Sequence, residues 1–200
     1  MLALAKPARA KIIYTPAYRN IEINEKLPLD LNHDRKNDFL FSDTFMGGDT
    51  MPWGGVLWVD PVGQGNGIWG YKQYGATSAF ALPAGVRVGE QRPFYGSPNE
   101  MAGGSSANQF CWGAWANVKH RYLGLKFISK GKTHFGWARL NVSCDPLRGD
   151  VTALLTGYAY ETIPNKPIIA GKTKGPDVIT LEPGSLGALA AGASRLHRGK

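Results

Sequence analysis

Cysteine is scarce in this chain, with only Cys111 and Cys144 among 200 residues. Histidine is little commoner: His33, His120, His134 and His197 are scattered. Nothing resembles an HExxH helix, a GxSxG elbow or a CxxC pair, so the usual sequence marks of metalloprotease, serine-hydrolase and thiol-redox chemistry are missing. No apolar run approaches the ~20 residues of a membrane-spanning helix, so no integral membrane span is expected. A basic stripe is also lacking, although the formal net charge is +8. Lys6 and Arg9 lie near the start, and Lys172, Lys174, Arg195, Arg198 and Lys200 follow Gly171. Nucleic-acid binding needs its basic residues on one folded face, so nucleic acid is not an expected partner.

What the chain has instead is 26 glycines, 13 prolines and an aromatic share of 11%, a composition of short strands and tight turns. The length suits one domain with a substantial core. The expected fold is all-β: a single-domain antiparallel β-sandwich, jelly-roll or concanavalin-like, with long loops, spanning residues 11–171. Residues 1–10 end in Ala8, Arg9, Ala10, which fits the small-x-small rule of signal cleavage. Their apolar part is too short for a whole signal, so they read as a residual signal-peptide tail or a disordered terminus. Residues 172–200 read as a linker and tail.

Along the chain, Lys11 to Thr15 and Asn20 to Ile23 suggest two short strands around Pro16. Residues 47–70 read as loop around a strand at Val56 to Val59, Thr77 to Leu82 as a further strand, and residues 83–108 as a long irregular connection. The glycines of GQGNGIWG have no Lys-Ser/Thr pair after them, so turns are their expected use. The last third carries the strongest pattern. Arg121 to Ser129 and Thr133 to Ser143 alternate around Gly131 as a hairpin, with Phe135, Trp137, Arg139 and Asn141 on one face and His134, Gly136, Ala138, Leu140 and Val142 on the other. Val151 to Glu161 adds a third long strand, and Lys166 to Ala170 a short last one.

Two groups of residues carry candidate chemistry. In LDLNHDRKNDFLF, residues 29–41, Asp30, Asn32, Asp34, Lys36 and Asp38 fall at positions one, three, five, seven and nine of a tight loop. Calcium takes six to eight oxygen ligands and is bound at that spacing, with Lys36 giving its backbone carbonyl. Arg35 stands where such loops place glycine, and Phe41 where an EF-hand places glutamate, so the loop is not an EF-hand. The same residues also suit an Asx-rich turn whose side chains bond their own backbone. The second group is Trp53, Trp58, Trp69, Trp112 and Trp115, in or near glycine-rich segments. Exposed aromatic faces would bind a ligand such as extracellular polysaccharide, whereas buried ones would anchor loops to the core. Cys111 and Cys144 are either one disulfide of an oxidising compartment or two buried thiols.

The segments at residues 29–41, 121–142 (RYLGLKFISKGKTHFGWARLNV) and 156–171 (TGYAYETIPNKPIIAG) resemble secreted bacterial β-rich proteins of the PEP-CTERM sorting-domain type. The resemblance implies export and a β-rich exoprotein, with no established catalytic activity. Glu182, Pro183, the apolar Leu186 to Ala193 and the arginines Arg195 and Arg198 form a degenerate version of such a tail. The expected function is therefore that of a secreted or cell-surface structural protein with a calcium-stabilised loop and no catalysis. The alternatives are a carbohydrate-binding module using loop tryptophans and a self-assembling extracellular subunit, the latter through uncovered strand edges.

Overall fold

The computed structural model describes residues 11–48, 51–73 and 75–181, and the fold is all-β, with no helix among them. The first half contributes β1 (Ile12–Ile21), β2 (Lys26–Leu29), β3 (Phe39–Gly48), β4 (Met51–Pro61), β5 (Gly67–Gln73) and β6 (Ala76–Ala79). Then come β7 (Arg87–Val88), β8 (Phe94–Tyr95), β9 (Asn99–Ser105) and β10 (Phe110–Trp112). The last third holds β11 (Val118–Ser129), β12 (Lys132–Asp145), β13 (Asp150–Glu161), β14 (Ile168–Ile169) and β15 (Val178–Thr180). One curled sheet runs in the order β15-β1-β13-β12-β11-β5-β6-β9-β4-β3-β2, with β10 on β9 and β8 on β5. Its two halves face each other as a sandwich, and β5 belongs to both, pairing with β11 at Ile68 and with β6 from Gly70 to Gln73. Most neighbours are antiparallel, but β1 with β15 and β6 with β9 are parallel pairs.

The hairpin of the last third forms as its alternation predicts. Lys130 and Gly131 both have positive φ, 50° and 72°, the turn that matches strand twist in a two-residue hairpin, and Ser129 pairs with Lys132. Ala138, Leu140 and Val142 of β12 point inward, where they meet Leu57, Val59, Phe39 and Phe41 of the facing strands in the main core. Phe135 and Trp137 point outward and are nevertheless buried, because Trp69, Leu82, Val88, Ile168 and Ala170 cover them as a second core. This half of the sheet is thus buried on both faces.

Three expectations are corrected. Pro16 does not separate two strands: β1 is continuous and shifts register against β13 between Pro16 and Arg19, a bulge that accommodates a residue without an N–H. Residues 47–70 are not mainly loop, since β4 and the start of β5 are paired strands of the sheet, and residues 83–108, an irregular connection for most of their length, also carry the paired strand β9. Their glycines serve close approach: a Cβ on Gly54 would lie 1.8 Å from the Gly104 carbonyl oxygen, and one on Gly103 would lie 2.1 Å from the Trp112 ring. The domain also runs beyond residue 171. Val178 to Thr180 pair with Ile12 to Tyr14, and Lys172 bonds Asp177 at 2.5 Å, so the expected linker begins as part of the sheet. The readings of residues 1–10 as a signal tail and of Glu182 to Arg198 as a sorting tail lie outside the described residues.

Candidate functional site

The acidic loop is closed by its own backbone. Asp30 accepts hydrogen bonds from Asp34 N at 3.1 Å and Arg35 N at 2.7 Å. Asn32 Oδ1 accepts from Asp34 N at 3.1 Å, and Asp34 Oδ1 from Lys36 N at 3.0 Å. Asp38, buried at the entry to β3, accepts from Leu31 N at 2.8 Å. Its carboxyl is pushed up to about 6, chiefly by burial, with the charges of Asp30 and Asp34 acting in the same direction against the Leu31 hydrogen bond. Arg35 takes φ 71° and His33 φ 62°, so the chain makes the left-handed turn without the glycine that favours it. Among the described residues no group of three or more His, Cys, Asp or Glu side chains is arranged to hold a metal ion.

The tryptophans divide sharply. Trp115 is fully buried and donates to the Ala79 carbonyl oxygen at 3.2 Å, while Trp69 is 7% exposed and covered by the Arg92 guanidinium at 4.7 Å. Both are core anchors, which corrects their reading as ligand platforms. The Trp53 side chain lies outside the described residues. Trp58 and Trp112 are half-buried, and both are linked to Glu100, Trp58 by strand register and Trp112 by its indole N–H. Trp58 pairs with Glu100, Glu100 with Ser78, and Ser78 with Tyr71, a row across β4, β9, β6 and β5. The Trp112 indole N–H donates to Glu100 Oε1 at 2.7 Å.

Beside this row lies a cleft of about 490 Å³, lined by Tyr71, Gln73, Ser78, Glu100, Trp112 and the backbone around Gly113. Aromatic pairs border it on both sides: Phe80, 37% exposed, packs at a tilt against Tyr71 with centroids 4.8 Å apart, and Phe110, 47% exposed, packs at a tilt against Trp112 at 5.4 Å. Cys111, between those last two, is disulfide-bonded to Cys144 of β12, which decides between the two readings of the cysteines. The bond closes a loop with a sequence separation of 33 residues and by chain entropy contributes about 3–4 kcal/mol. It also holds β10, and with it Trp112, against the sandwich.

Polar residues of the last three long strands have structural partners. Glu161, 1% exposed, pairs with Lys166 at 3.0 Å, while Arg139 bonds Thr156 and Tyr14. His134 Nδ1 meets the Glu161 carbonyl oxygen at 3.0 Å. Asn141 accepts from His120 N at 2.8 Å. In GQGNGIWG, Gly63 and Gly65 take positive φ, and Asn66 bridges the carbonyl oxygens of Asp38 and Val62 to Ile128 N, so the segment is a braced turn.

Sequence reasoning missed Tyr71, Ser78, Phe80 and Phe110 because β5 and β9, which join them, read as glycine-rich loop. Phe110-Cys111-Trp112 was the one local signal, since alternation there points both rings to one face. No family model, curated protein or solved structure matches the chain, so the resemblance to PEP-CTERM-type exoproteins rests on the quoted segments alone.

Proposed function

We propose that this chain is an exported binding domain that takes a saccharide in the cleft between Tyr71 and Trp112. The observation that carries the reading is the Trp112 ring, half-exposed and fixed by its Glu100 hydrogen bond beside a second aromatic. A sugar ring offers an apolar face to such a ring and hydroxyls around its edge. Glu100, Ser78 and Gln73 supply acceptors and donors for those hydroxyls. Among the described residues lining the cleft Glu100 is the only carboxylate, so the site offers binding without the facing pair that glycoside hydrolysis uses. The disulfide favours an oxidising compartment, which supports placement outside the cytoplasm or at the cell surface. Calcium at the Asp30–Asp38 loop is not needed for this role, because that turn closes on its own backbone.

The test is affinity electrophoresis of the full chain against a panel of soluble neutral and acidic polysaccharides, followed by calorimetry on any that retard it. At least one polysaccharide is expected to bind, and Trp112→Ala is expected to weaken it about tenfold or more, the scale of ~1.5 kcal/mol for a lost aromatic contact. Unchanged affinity in Trp112→Ala, or retardation by none of the panel, would overturn the reading.

A further inference from the structure

A second cleft, of about 450 Å³, is lined by Arg87, Glu90, Gln91, Arg92, Asn165 and Pro167. Its walls are held by the backbone. Val88, beside Arg87, is buried and pairs with Ile168 of β14. Arg92 N donates to the Gly89 carbonyl oxygen at 3.2 Å, and a Cβ on Gly89 would lie 2.9 Å from the Pro167 ring, so the turn after β7 packs directly on the segment that leads into β14. Arg87 and Arg92 are both exposed. Neither enters an ion pair among the described residues, where the pairs are Arg148–Asp145, Lys166–Glu161 and Lys172–Asp177. Glu90, on the same lining, is thus paired with neither guanidinium. Arg92 lies instead over the Trp69 ring at 4.7 Å, and a guanidinium seated on a ring keeps the N–H donors in its plane for an acceptor at its edge.

Trp69 ties this cleft to the one at Trp112. Phe80 packs against Trp69 at 6.2 Å and against Tyr71 at 4.8 Å, so those two rings share one face of β5, as residues two apart on a strand do. Two residues of strand advance about 6.5–7 Å. Tyr71 lines the cleft at Trp112, so the Arg92 guanidinium sits over the ring one such step along from it. Lys126 adds positive charge nearby, with Nζ 5.8 Å from the ring of Phe94, the register partner of Trp69.

We propose that the Arg87–Arg92 cleft binds the anionic substituent, carboxylate or sulfate, of an acidic polysaccharide whose neighbouring unit lies in the cleft at Trp112. The proposal rests on the saccharide reading and names the class of saccharide. A carboxylate or sulfate ester presents its oxygens in the geometry that a guanidinium fork meets with parallel N–H donors. Trp69 pre-sets Arg92 for that contact, and Arg87 brings a second set of donors to the same cleft. Gln91 and Asn165 offer amides to the hydroxyls beside the charge. A neutral polysaccharide would gain nothing from either cation.

The experiment is calorimetry of the full chain with polysaccharides matched in backbone and different in charge: homogalacturonan with its carboxyls free or methyl-esterified, and dextran sulfate against dextran. The charged member of at least one pair is expected to bind about tenfold more tightly than the neutral one, the scale of a hydrogen bond to a charged group. Arg92→Gln is expected to bring the ratio of the two affinities close to one, and Arg92→Lys, which keeps the charge without the fork, to leave it in between. Arg87→Gln, at the exposed start of β7, tests the cleft without uncovering Trp69 and should also reduce the ratio. Trp112→Ala should weaken both members together and keep the ratio. Equal affinity for charged and neutral members would overturn the proposal and leave the saccharide reading standing. So would a preference that survives in both Arg92→Gln and Arg87→Gln, which belongs to the net charge of the chain and not to this cleft. Binding of no member would overturn both.

Discussion

The acidic loop Asp30–Asp38 and the buried Asp43 carry their carboxylates in opposite ways. In the loop, Asp30, Asn32, Asp34 and Asp38 each accept a backbone N–H of the same turn. Inside the sandwich, Asp43 accepts none. The difference follows from the backbone beneath them. A tight turn has N–H groups with no ladder partner, free to point at nearby carboxylates. Strands β3, β4 and β13 have already committed theirs to pairing, so a carboxylate on their inner face finds no donors left. Acidic residues in a turn are therefore satisfied by their own backbone, whereas a carboxyl on the inner face of a paired strand is left without donors and favours its neutral form.

The comparison breaks most visibly on Asp43. At pH 8, Asp43→Asn is expected to stabilise the fold by about 2–4 kcal/mol, because it removes a carboxyl whose ionisation folding opposes. Chemical denaturation measures this, and a destabilisation of similar size would mean that the carboxylate has a partner after all. The pH dependence has the same origin. A carboxyl raised from 3.8 to about 7 binds its proton more tightly in the folded state. The wild type should therefore lose stability as pH rises from about 4 to about 7, with Asp38 adding to the slope up to its value of about 6. Asp43→Asn should leave only the shallower part.

The loop responds in the reverse sense and less. Asp30→Ala takes a charged acceptor from two backbone N–H groups and is expected to destabilise by about 1–2 kcal/mol, moderated by water at this half-exposed site. Equal stability of that variant and wild type in denaturation curves would show that the turn closes without its side chains. The smallest effect is Arg35→Gly. It relieves an exposed residue held at φ 71° and should raise stability by about 0.5–1 kcal/mol, the strain relieved less the added freedom of the unfolded chain.

How much of this was legible beforehand depends on whether a feature is local. The β11–β12 hairpin could be read because alternation and a Lys-Gly turn are written in consecutive residues, and the Asp30–Asp38 loop for the same reason. The left-handed turn at Arg35 was anticipated as a position wanting glycine. The first half of the chain was misread because glycine marks turns in most strands, while Gly54 and Gly103 here let backbone and the Trp112 ring approach. The cleft was hidden by that error: Trp58, Glu100, Ser78 and Tyr71 meet only through the register of four strands. Asp43 was hidden because its one distinctive property, burial without a hydrogen-bond partner, has no counterpart in composition or spacing.

The most direct measurement is a carboxyl ¹³C titration of Asp43 by NMR in the full chain. The midpoint is expected near 7, because burial without hydrogen-bond donors disfavours the ionised form. A midpoint near 3.8 would contradict a buried, unmatched carboxylate and the contrast with the loop that follows from it.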